Sequence, residues 1–250
     1  MRNTVLLLAL IVLSGFLSMK RNPGGKKVKL KYPKSWPKPA YDFKENPIRE
    51  DQLDLGRHLF YDPVLSFDST TSCASCHLSF TAFTHVDHTL SHGINDKIGT
   101  RNSLALANLA WHKSFMWDGA VNNIEVQPLA PISHPAEMNE TLENVLFKLN
   151  RMEKYREKFK NAFGVDTITS APFLKALAQF QLILVTDNSK YDKVMRSDET
   201  FTDQERRGYD LFKKKCASCH TEPLFTNGEF KSNGLPIDST LNDMGRMTVT

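Results

Sequence analysis

The 250-residue sequence has only four cysteines, and none of them stands alone. They fall in two identical Cys-Ala-Ser-Cys-His segments, residues 73–77 and 216–220. Strand-like alternation is also missing, as are any other repeat and a βαβ pattern around either segment. These absences argue against a thioredoxin-like redox fold and favour a mainly α protein.

Acidic residues are absent from residues 1–38, which hold nine Lys and Arg. The remaining residues carry 23 Lys and Arg against 28 Asp and Glu, so the body of the chain is acidic at −5 although the whole chain is +4. The basic stretch is a leader and spacer and not a patch on a folded face, which argues against nucleic-acid binding. At this length one large or two small domains can form, and one motif in each half favours two.

No apolar run is long enough for an ordinary membrane span. Residues 5–13 are apolar throughout but few, and with Arg2 before them they are typical of an export signal. Because no clear small-residue cleavage pattern follows, residues 1–19 are predicted to be a signal peptide or an N-terminal membrane anchor. Residues 20–45, rich in Lys and Pro, are predicted to be an extended, solvated tether.

The Cys-x-x-Cys-His motif is the attachment signature of c-type haem, in which two thiols bond to the haem vinyl groups and the histidine ligates the iron. The predicted attachment residues are Cys73, Cys76, His77, Cys216, Cys219 and His220. A zinc site or a pair of disulfides leaves both histidines unexplained, and the 143 positions from Cys73 to Cys216 exceed the spacing of zinc knuckles. The sequence thus predicts two covalent haem groups, with zinc and disulfides as the alternatives. Such haem is attached outside the cytoplasmic membrane, in agreement with an export signal.

Helical signals dominate the rest of the chain. A first helix is predicted to start near Asn46, capped by that residue, and to end at Asp62. One apolar stripe is predicted to begin at Leu142 and to continue to a stop at Gly164. Residues 81–102 are polar and contain three histidines, and they are predicted to form a long loop over the haem.

Two more helices complete the predicted fold. Ser170 can cap an apolar helix that reaches about Val185, and Thr202 and Glu205 form a capping box for a helix that enters the second motif. The polar connector 186–200 marks the predicted domain boundary. We therefore predict a mainly α protein with long loops and two cytochrome c-like haem domains, residues 46–186 and 187–250.

Several motifs in this order resemble those of the bacterial dihaem cytochrome c peroxidases. They are Leu55-Gly56-Arg57-His58-Leu59-Phe60-Tyr61-Asp62-Pro63, both Cys-Ala-Ser-Cys-His segments, Gly99-Thr100-Arg101-Asn102-Ser103, Met116-Trp117-Asp118-Gly119 and Glu137-Met138-Asn139. The resemblance runs from about residue 46 to residue 250. It implies a periplasmic enzyme that reduces hydrogen peroxide to water with electrons from a small cytochrome c or cupredoxin. It further implies that the C-terminal haem receives electrons and that the N-terminal haem reacts with peroxide.

The resemblance also implies roles for individual residues. His77 and His220 become the proximal ligands, Glu137 the catalytic acid-base residue and Gln127 the pocket glutamine. By the same resemblance Trp117 lies between the haems, and Asn102 is a ligand of a calcium ion at the domain interface. A carboxylate suits peroxide heterolysis because a proton must move between the two oxygens. Without the resemblance, we would interpret Glu137 as a negative charge that stabilises the start of a helix, and Trp117 as a side chain that packs in the core.

Two departures from the family pattern stand out. Alignment on Ser91 and Gly93 places Ile94 where the family has a distal histidine, so either a loop shift makes His92 the ligand or the first haem is permanently open. Family members also continue beyond Thr250 with the methionine ligand of the C-terminal haem. The C-terminal domain is therefore expected to be incomplete, with Met244 and Met247 as substitute ligands.

Two other functions remain open from the sequence. One is a dihaem electron-transfer protein without catalysis, which needs two six-coordinate irons and no acid-base residue. The other is a related dihaem enzyme that oxidises residues of a partner protein. A homodimer is among the assemblies that the family resemblance allows.

Overall fold

The computed structural model describes residues 23–232 and 234–249, so the predicted export signal lies outside the described residues. This part of the chain is helical and forms no strands, only isolated bridges such as Phe115 with Val121. The α-helices are α1 (Glu50–Tyr61), α2 (Cys73–Cys76), α3 (Leu129–Ser133), α4 (Leu142–Arg151), α5 (Glu153–Phe163), α6 (Ser170–Leu182), α7 (Lys190–Met195) and α8 (Asp203–Lys215). The prediction of a mainly α fold is confirmed. None of the described helices has the length and apolar character needed to cross a bilayer.

Helix α6 is the centre of the N-terminal half. Every residue from Ala176 to Leu182 is buried, including Gln179 and Gln181, so this part of the helix presents no polar face to solvent. Helix α1 packs against it through Leu55, Leu59 and Phe60, and α5 covers α1. Gly56 permits the closest approach, because a Cβ atom there would overlap the carbonyl group of Ala176.

The predicted start of α1 is wrong by several residues. The helix begins at Glu50, and the side-chain oxygen of Gln179 accepts a hydrogen bond from the Arg49 N–H at 3.0 Å. Asn46 is buried and bonds α6 instead, accepting from Gln179 Nε2 at 2.6 Å and donating to the Lys175 carbonyl at 3.2 Å. A capping residue of the local sequence is thus drawn into a tertiary hydrogen-bond network, and a glutamine 130 residues away binds the helix start.

The predicted stripe from Leu142 to Gly164 forms two helices instead of one. Met152 has extended backbone angles, φ −96° and ψ 113°, and separates α4 from α5. The Asn150 side chain bonds both backbone groups of Ile168, which draws the end of α4 towards the loop before α6. The Gly164 stop is confirmed, with φ 71° in the left-handed region that glycine adopts without strain.

The tether prediction for residues 20–45 is wrong for its described part. Trp36 is buried, and its ring lies 5.2 Å from that of Trp111 in an edge-to-face contact. Trp111 Nε1 donates to the Pro37 carbonyl at 2.8 Å, and Tyr41 donates to Glu125 at 2.5 Å. The aromatic residues between the lysines and prolines thus bind this segment to the domain surface.

The C-terminal half is built differently from the N-terminal half. Leu182 is the last buried apolar residue of the core, and none follows it in the described residues up to 249. The predicted connector contains α7, and the Thr202–Glu205 capping box of α8 is confirmed by reciprocal hydrogen bonds. The carboxylate of Glu222 links these two helices, because Tyr191 of α7 and Tyr209 of α8 both donate hydrogen bonds to it.

Substituting Gly56 tests whether the contact between α1 and α6 determines the stability of this half. Gly56→Ala is expected to lower the free energy of unfolding by about 1–3 kcal/mol, because the added methyl group would force the two helices apart. Gly208→Ala in α8 is the matched control, since nothing lies within 4 Å of a Cβ atom there. It should stabilise by about 0.5–1 kcal/mol through helix propensity. Chemical denaturation of both variants gives their free energies of unfolding. Equal changes in the two variants would contradict the importance of the contact between α1 and α6.

Candidate functional site

The first Cys-x-x-Cys-His motif forms a single helical turn. Ser72 and Ser75 cap it reciprocally, and the His77 N–H donates to the Cys73 carbonyl at 2.9 Å. Cys73, Cys76 and His77 line one cavity together with Phe60 of α1. Burial raises the pKa of Cys73 to about 12 and also raises that of Cys76, so both are thiols at neutral pH. Both sulfurs are free of disulfides and are placed for attachment to one group in the cavity.

His77 is prepared to ligate a metal through one defined nitrogen. Its Nδ1 lies 2.7 Å from the Phe83 carbonyl, which fixes the proton on Nδ1 and leaves the Nε2 lone pair available. Burial lowers the pKa of His77, which favours the neutral form that binds metals. The donor set of two thiols and an oriented neutral imidazole fits haem attachment.

The second motif repeats this local geometry in an exposed setting. The His220 N–H donates to the Cys216 carbonyl at 2.9 Å, as His77 does to Cys73. His220 Nδ1 lies 3.1 Å from the Phe225 carbonyl, five residues on. Phe225 in turn contacts Tyr191 and Phe212, with ring centroids 4.8 and 5.5 Å away. Each motif therefore has a histidine oriented by a following phenylalanine carbonyl.

Glu137 and Gln127 lie in the same cavity as the first motif. Glu137 sits in a turn after α3, where its N–H donates to the His134 carbonyl at 3.0 Å and its own carbonyl accepts from the Ile94 N–H at 2.7 Å. Gln127 Nε2 lies 3.4 Å from Met116 Sδ. The structure thus brings together five of the residues singled out in the sequence: Cys73, Cys76, His77, Gln127 and Glu137.

The electrostatics of Glu137 combine two opposing effects. Burial raises its pKa, and the His134 imidazole, with Nδ1 3.6 Å from Glu137 Oε1, lowers it. The sequence analysis overlooked His134. Its position three residues before Glu137 on one turn is the signal that could have identified it.

The loop 91–99 packs directly on the turn that carries Glu137. Ile94 is fully buried, and Gly93 fits because a Cβ atom there would overlap the Ala136 and Glu137 backbone. His92 is not among the residues that line the cavity; its Nδ1 lies 3.0 Å from Asp96, and its ring stacks on that of His88 at 4.3 Å. Only the backbone of His92 reaches the motif, through its carbonyl 3.2 Å from Cys76 Sγ.

Trp117 and Asn102 lie apart from this cavity, in a groove beside the C-terminal segment, which comprises residues 230–232 and 234–249. Trp117 Nε1 donates to the Asn102 carbonyl at 2.8 Å, and the indole is 56% exposed. Asn102 Oδ1 is buried without a hydrogen-bond partner, although its amide nitrogen donates to the His88 carbonyl. Among the described residues no three His, Cys, Asp or Glu side chains are grouped to hold a metal ion.

A mainly helical frame that carries two Cys-x-x-Cys-His motifs, one of them facing a glutamate across a cavity, defines a dihaem c-type cytochrome.

Comparison with known proteins identifies the family. A family model for di-haem cytochrome c peroxidases matches residues 50–200. The methylamine utilization protein MauG of Methylorubrum extorquens is 34% identical over 230 residues, covering 88% of this chain and 61% of its own length. The cytochrome c551 peroxidase of Nitrosomonas europaea is 34% identical over 209 residues, covering 82% of this chain and 62% of its own. The chain belongs to the di-haem cytochrome c peroxidase family.

A solved structure agrees with this assignment. The crystal structure of a MauG-like protein associated with microbial copper homeostasis superposes with a TM-score of 0.72 and 31% identity, over 84% of this chain and 63% of that one. The present chain therefore spans a little under two thirds of the length of the relatives that it matches.

Removal of one cysteine pair at a time tests the two attachment sites. The unaltered chain, made in a host that matures c-type cytochromes, should carry two haem groups that survive denaturation. Cys73→Ala/Cys76→Ala and Cys216→Ala/Cys219→Ala should each carry one, because each motif supplies its own two thioether bonds. Intact-protein mass and haem staining on denaturing gels give the count. A haem-free or zinc-loaded chain would contradict the assignment.

Proposed function

We propose that the protein is a dihaem peroxidase that reduces hydrogen peroxide to water with electrons from a small periplasmic cytochrome c or cupredoxin. The observation that carries this proposal is the cavity that Glu137 and Gln127 share with Cys73, Cys76 and His77. A simple electron-transfer cytochrome has no need of a carboxylate facing the haem attachment site. The family assignment and the relatives named cytochrome c peroxidase support the same reaction class.

The residues of the cavity have separate roles in haem binding, proton transfer and orientation of the peroxide. His77 would hold the first haem iron through Nε2, since Nδ1 is engaged with the Phe83 carbonyl. The haem supplies the redox-active iron and the coordination position at which the O–O bond is reduced. Glu137 would accept a proton from one peroxide oxygen and donate it to the other, which leaves as water, and Gln127 would orient the peroxide with its amide. The turn of Glu137 is held on both sides by backbone hydrogen bonds, which keeps the carboxylate in place.

The first haem is proposed to be open on its distal side. Ile94 occupies the position of the family's distal histidine and is fully buried, with its N–H bonded to the Glu137 carbonyl. The His92 side chain is engaged with Asp96 and His88, outside the cavity lining. A loop shift that brought His92 onto the iron would break the bond from Ile94 to Glu137. The enzyme would therefore need no reductive activation.

The second haem, bound by Cys216, Cys219 and His220, is proposed to receive the electrons. Its motif is exposed, as a site for an external donor requires, and Trp117 lies in the groove beside the C-terminal segment. Calcium is proposed at Asn102, whose buried Oδ1 lacks a partner and is the type of hard oxygen ligand that this ion takes. A periplasmic location, with or without a membrane anchor, is proposed on the basis of covalent haem attachment and the predicted export signal.

Oxidation of a partner protein is the second candidate function. Two relatives at 34% and 33% identity are named methylamine utilization protein MauG. The two functions differ in what supplies the electrons: a small redox protein in one case and side chains of a bound partner in the other. Steady-state peroxide consumption with reduced cytochrome c as donor separates them.

Substitution of Glu137 tests the peroxidase proposal. Glu137→Gln should lower peroxide turnover by about 10²–10⁴-fold, because the amide cannot shuttle a proton between the oxygens. Haem content and both reduction potentials should stay unchanged. Glu143→Gln, an exposed carboxylate in the first turn of α4, is the matched control and should keep full turnover. Equal activity in the two variants would assign Glu137 a structural role only.

The pH dependence of turnover tests the environment of Glu137. Only the carboxylate form accepts a proton from peroxide, so turnover should fall as pH is lowered through the raised pKa of Glu137. The His134 imidazole opposes that rise, so His134→Ala should raise the pKa of Glu137 further and move the acid limb to higher pH. His58→Ala, on the exposed face of α1, serves as control. An acid limb that stays in place in His134→Ala would show that His134 does not act on Glu137.

A further inference from the structure

Arg101 joins three segments that are distant in the sequence. Its Nε and Nη2 bond the two carboxylate oxygens of Asp243 at 2.5 and 2.8 Å. Its Nη1 bonds Asp118 at 2.7 Å. A planar guanidinium can serve two carboxylates at once in this fixed geometry, which an ammonium group cannot reproduce.

Arg246 adds a second connection to the same turn. Its Nη1 donates to the Asp118 carbonyl, and its guanidinium lies 4.2 Å from the centroid of the Phe230 ring. Gly119 follows with φ +71°, and a Cβ atom there would overlap Phe230 and Arg246. Two cations and two carboxylates therefore balance in charge where the C-terminal segment meets the 118–119 turn.

Trp117 is held within this arrangement from both sides. It precedes Asp118 directly, and its indole N–H donates at 2.8 Å to the carbonyl of Asn102, the neighbour of Arg101. The two chain segments that carry Trp117 and its acceptor are thus tied to each other through the ion pair of Arg101 with Asp118. The ion pair with Asp243 ties both of them to the C-terminal segment.

This connection matters because the C-terminal segment has little packing of its own. Most of its apolar residues are exposed, with Leu235 at 74% and Met247 at 70%, and Leu241 is half-buried. The backbone hydrogen bonds from Leu241 to Asp238 and from Val249 to Arg246 run within the segment. The ion pairs of Arg101 therefore have a large share in setting where this segment lies against the N-terminal domain.

We propose that Arg101 is a positioning residue that holds Trp117 against the C-terminal segment and so sets the rate of electron transfer between the two halves of the molecule. The proposal rests on the proposed function, because it assigns Trp117 to the path between the haems. Ion pairing with Arg101 lowers the pKa of Asp243 to about 2 and also lowers that of Asp118. The connection should accordingly persist throughout the neutral and mildly acidic range.

Three substitutions in the haem-loaded full chain test this proposal. Arg101→Gln removes both the positive charge and the planar set of guanidinium donors, whereas Arg101→Lys keeps only the charge. Asp243→Asn weakens the ion pair with Asp243 and leaves Arg101 bound to Asp118. Arg57→Gln is the matched control, because Arg57 pairs with Asp54 on the exposed face of α1 at 2.9 Å. Hydrogen–deuterium exchange of residues 234–249 and 115–121 is measured, together with electron transfer from the reduced C-terminal haem to the N-terminal haem after rapid mixing.

Arg101→Gln should speed exchange in both segments and slow inter-haem transfer by about 10-fold or more, since small displacements of a positioned group have large effects on rate. Both reduction potentials and the haem content should remain as in the unaltered protein. The exchange and transfer rates of Arg101→Lys should lie between those of Arg101→Gln and those of the unaltered protein. Arg57→Gln should match the unaltered protein. If Arg101→Gln does not accumulate as folded protein, Asp243→Asn decides, with a smaller change in the same direction.

Unchanged transfer in Arg101→Gln, or in Asp243→Asn where only that variant folds, would overturn the proposal, whether or not exchange increases. Neither readout uses peroxide. A protein that proves not to be a peroxidase would therefore still show whether Arg101 positions Trp117 between the halves.

Discussion

The close packing of α1 on α6 is the constraint on which the rest of the N-terminal half depends. Gly56 lets the two helix backbones approach, and Phe60 and Leu177, one from each helix, then form a wall of the cavity. The single turn of α2 stands against that wall, so the separation of the two helices sets the position of the thiols and of His77. A buried wall also keeps His77 neutral and its Nδ1 bonded to a carbonyl.

The part of the cavity lining that carries Glu137 lies in a turn after α3, and backbone hydrogen bonds hold it in place. The turn of Glu137 is bonded to the loop 91–99 through Ile94, and the Phe67 N–H donates to the Met138 carbonyl at 3.0 Å. These backbone bonds hold the carboxylate of Glu137 in place beside the His134 imidazole, and burial raises its pKa against the opposing effect of that imidazole. The proposed proton transfer within a bound peroxide requires a carboxylate in a fixed position, which this turn provides. The Arg101 ion pairs extend this order to the C-terminal segment.

The local features of the fold and of the site could be predicted from the sequence, whereas the features set by contacts between distant residues could not. The Cys-x-x-Cys-His motifs, the Thr202 capping box and the Gly164 stop are short-range patterns, and the structure shows their expected local geometry. The predicted start of α1 was wrong because Gln179, 130 residues away, binds the backbone at the helix start. The ion pair from Arg101 to Asp243 spans 142 residues and leaves no periodic signal. The family resemblance identified Glu137 and Gln127, and the cavity places them beside the motif.

We propose that the first haem site is permanently open and shares its cavity with Glu137, with Ile94 at the sequence position of the family's distal histidine. Low-temperature electron paramagnetic resonance of the oxidised Cys216→Ala/Cys219→Ala protein, which isolates the first haem, tests it most directly. An open site should give a high-spin signal before any reduction, and the same signal after His92→Ala is added. A low-spin signal that His92→Ala converts to high-spin would contradict it, because His92 would then be the distal ligand.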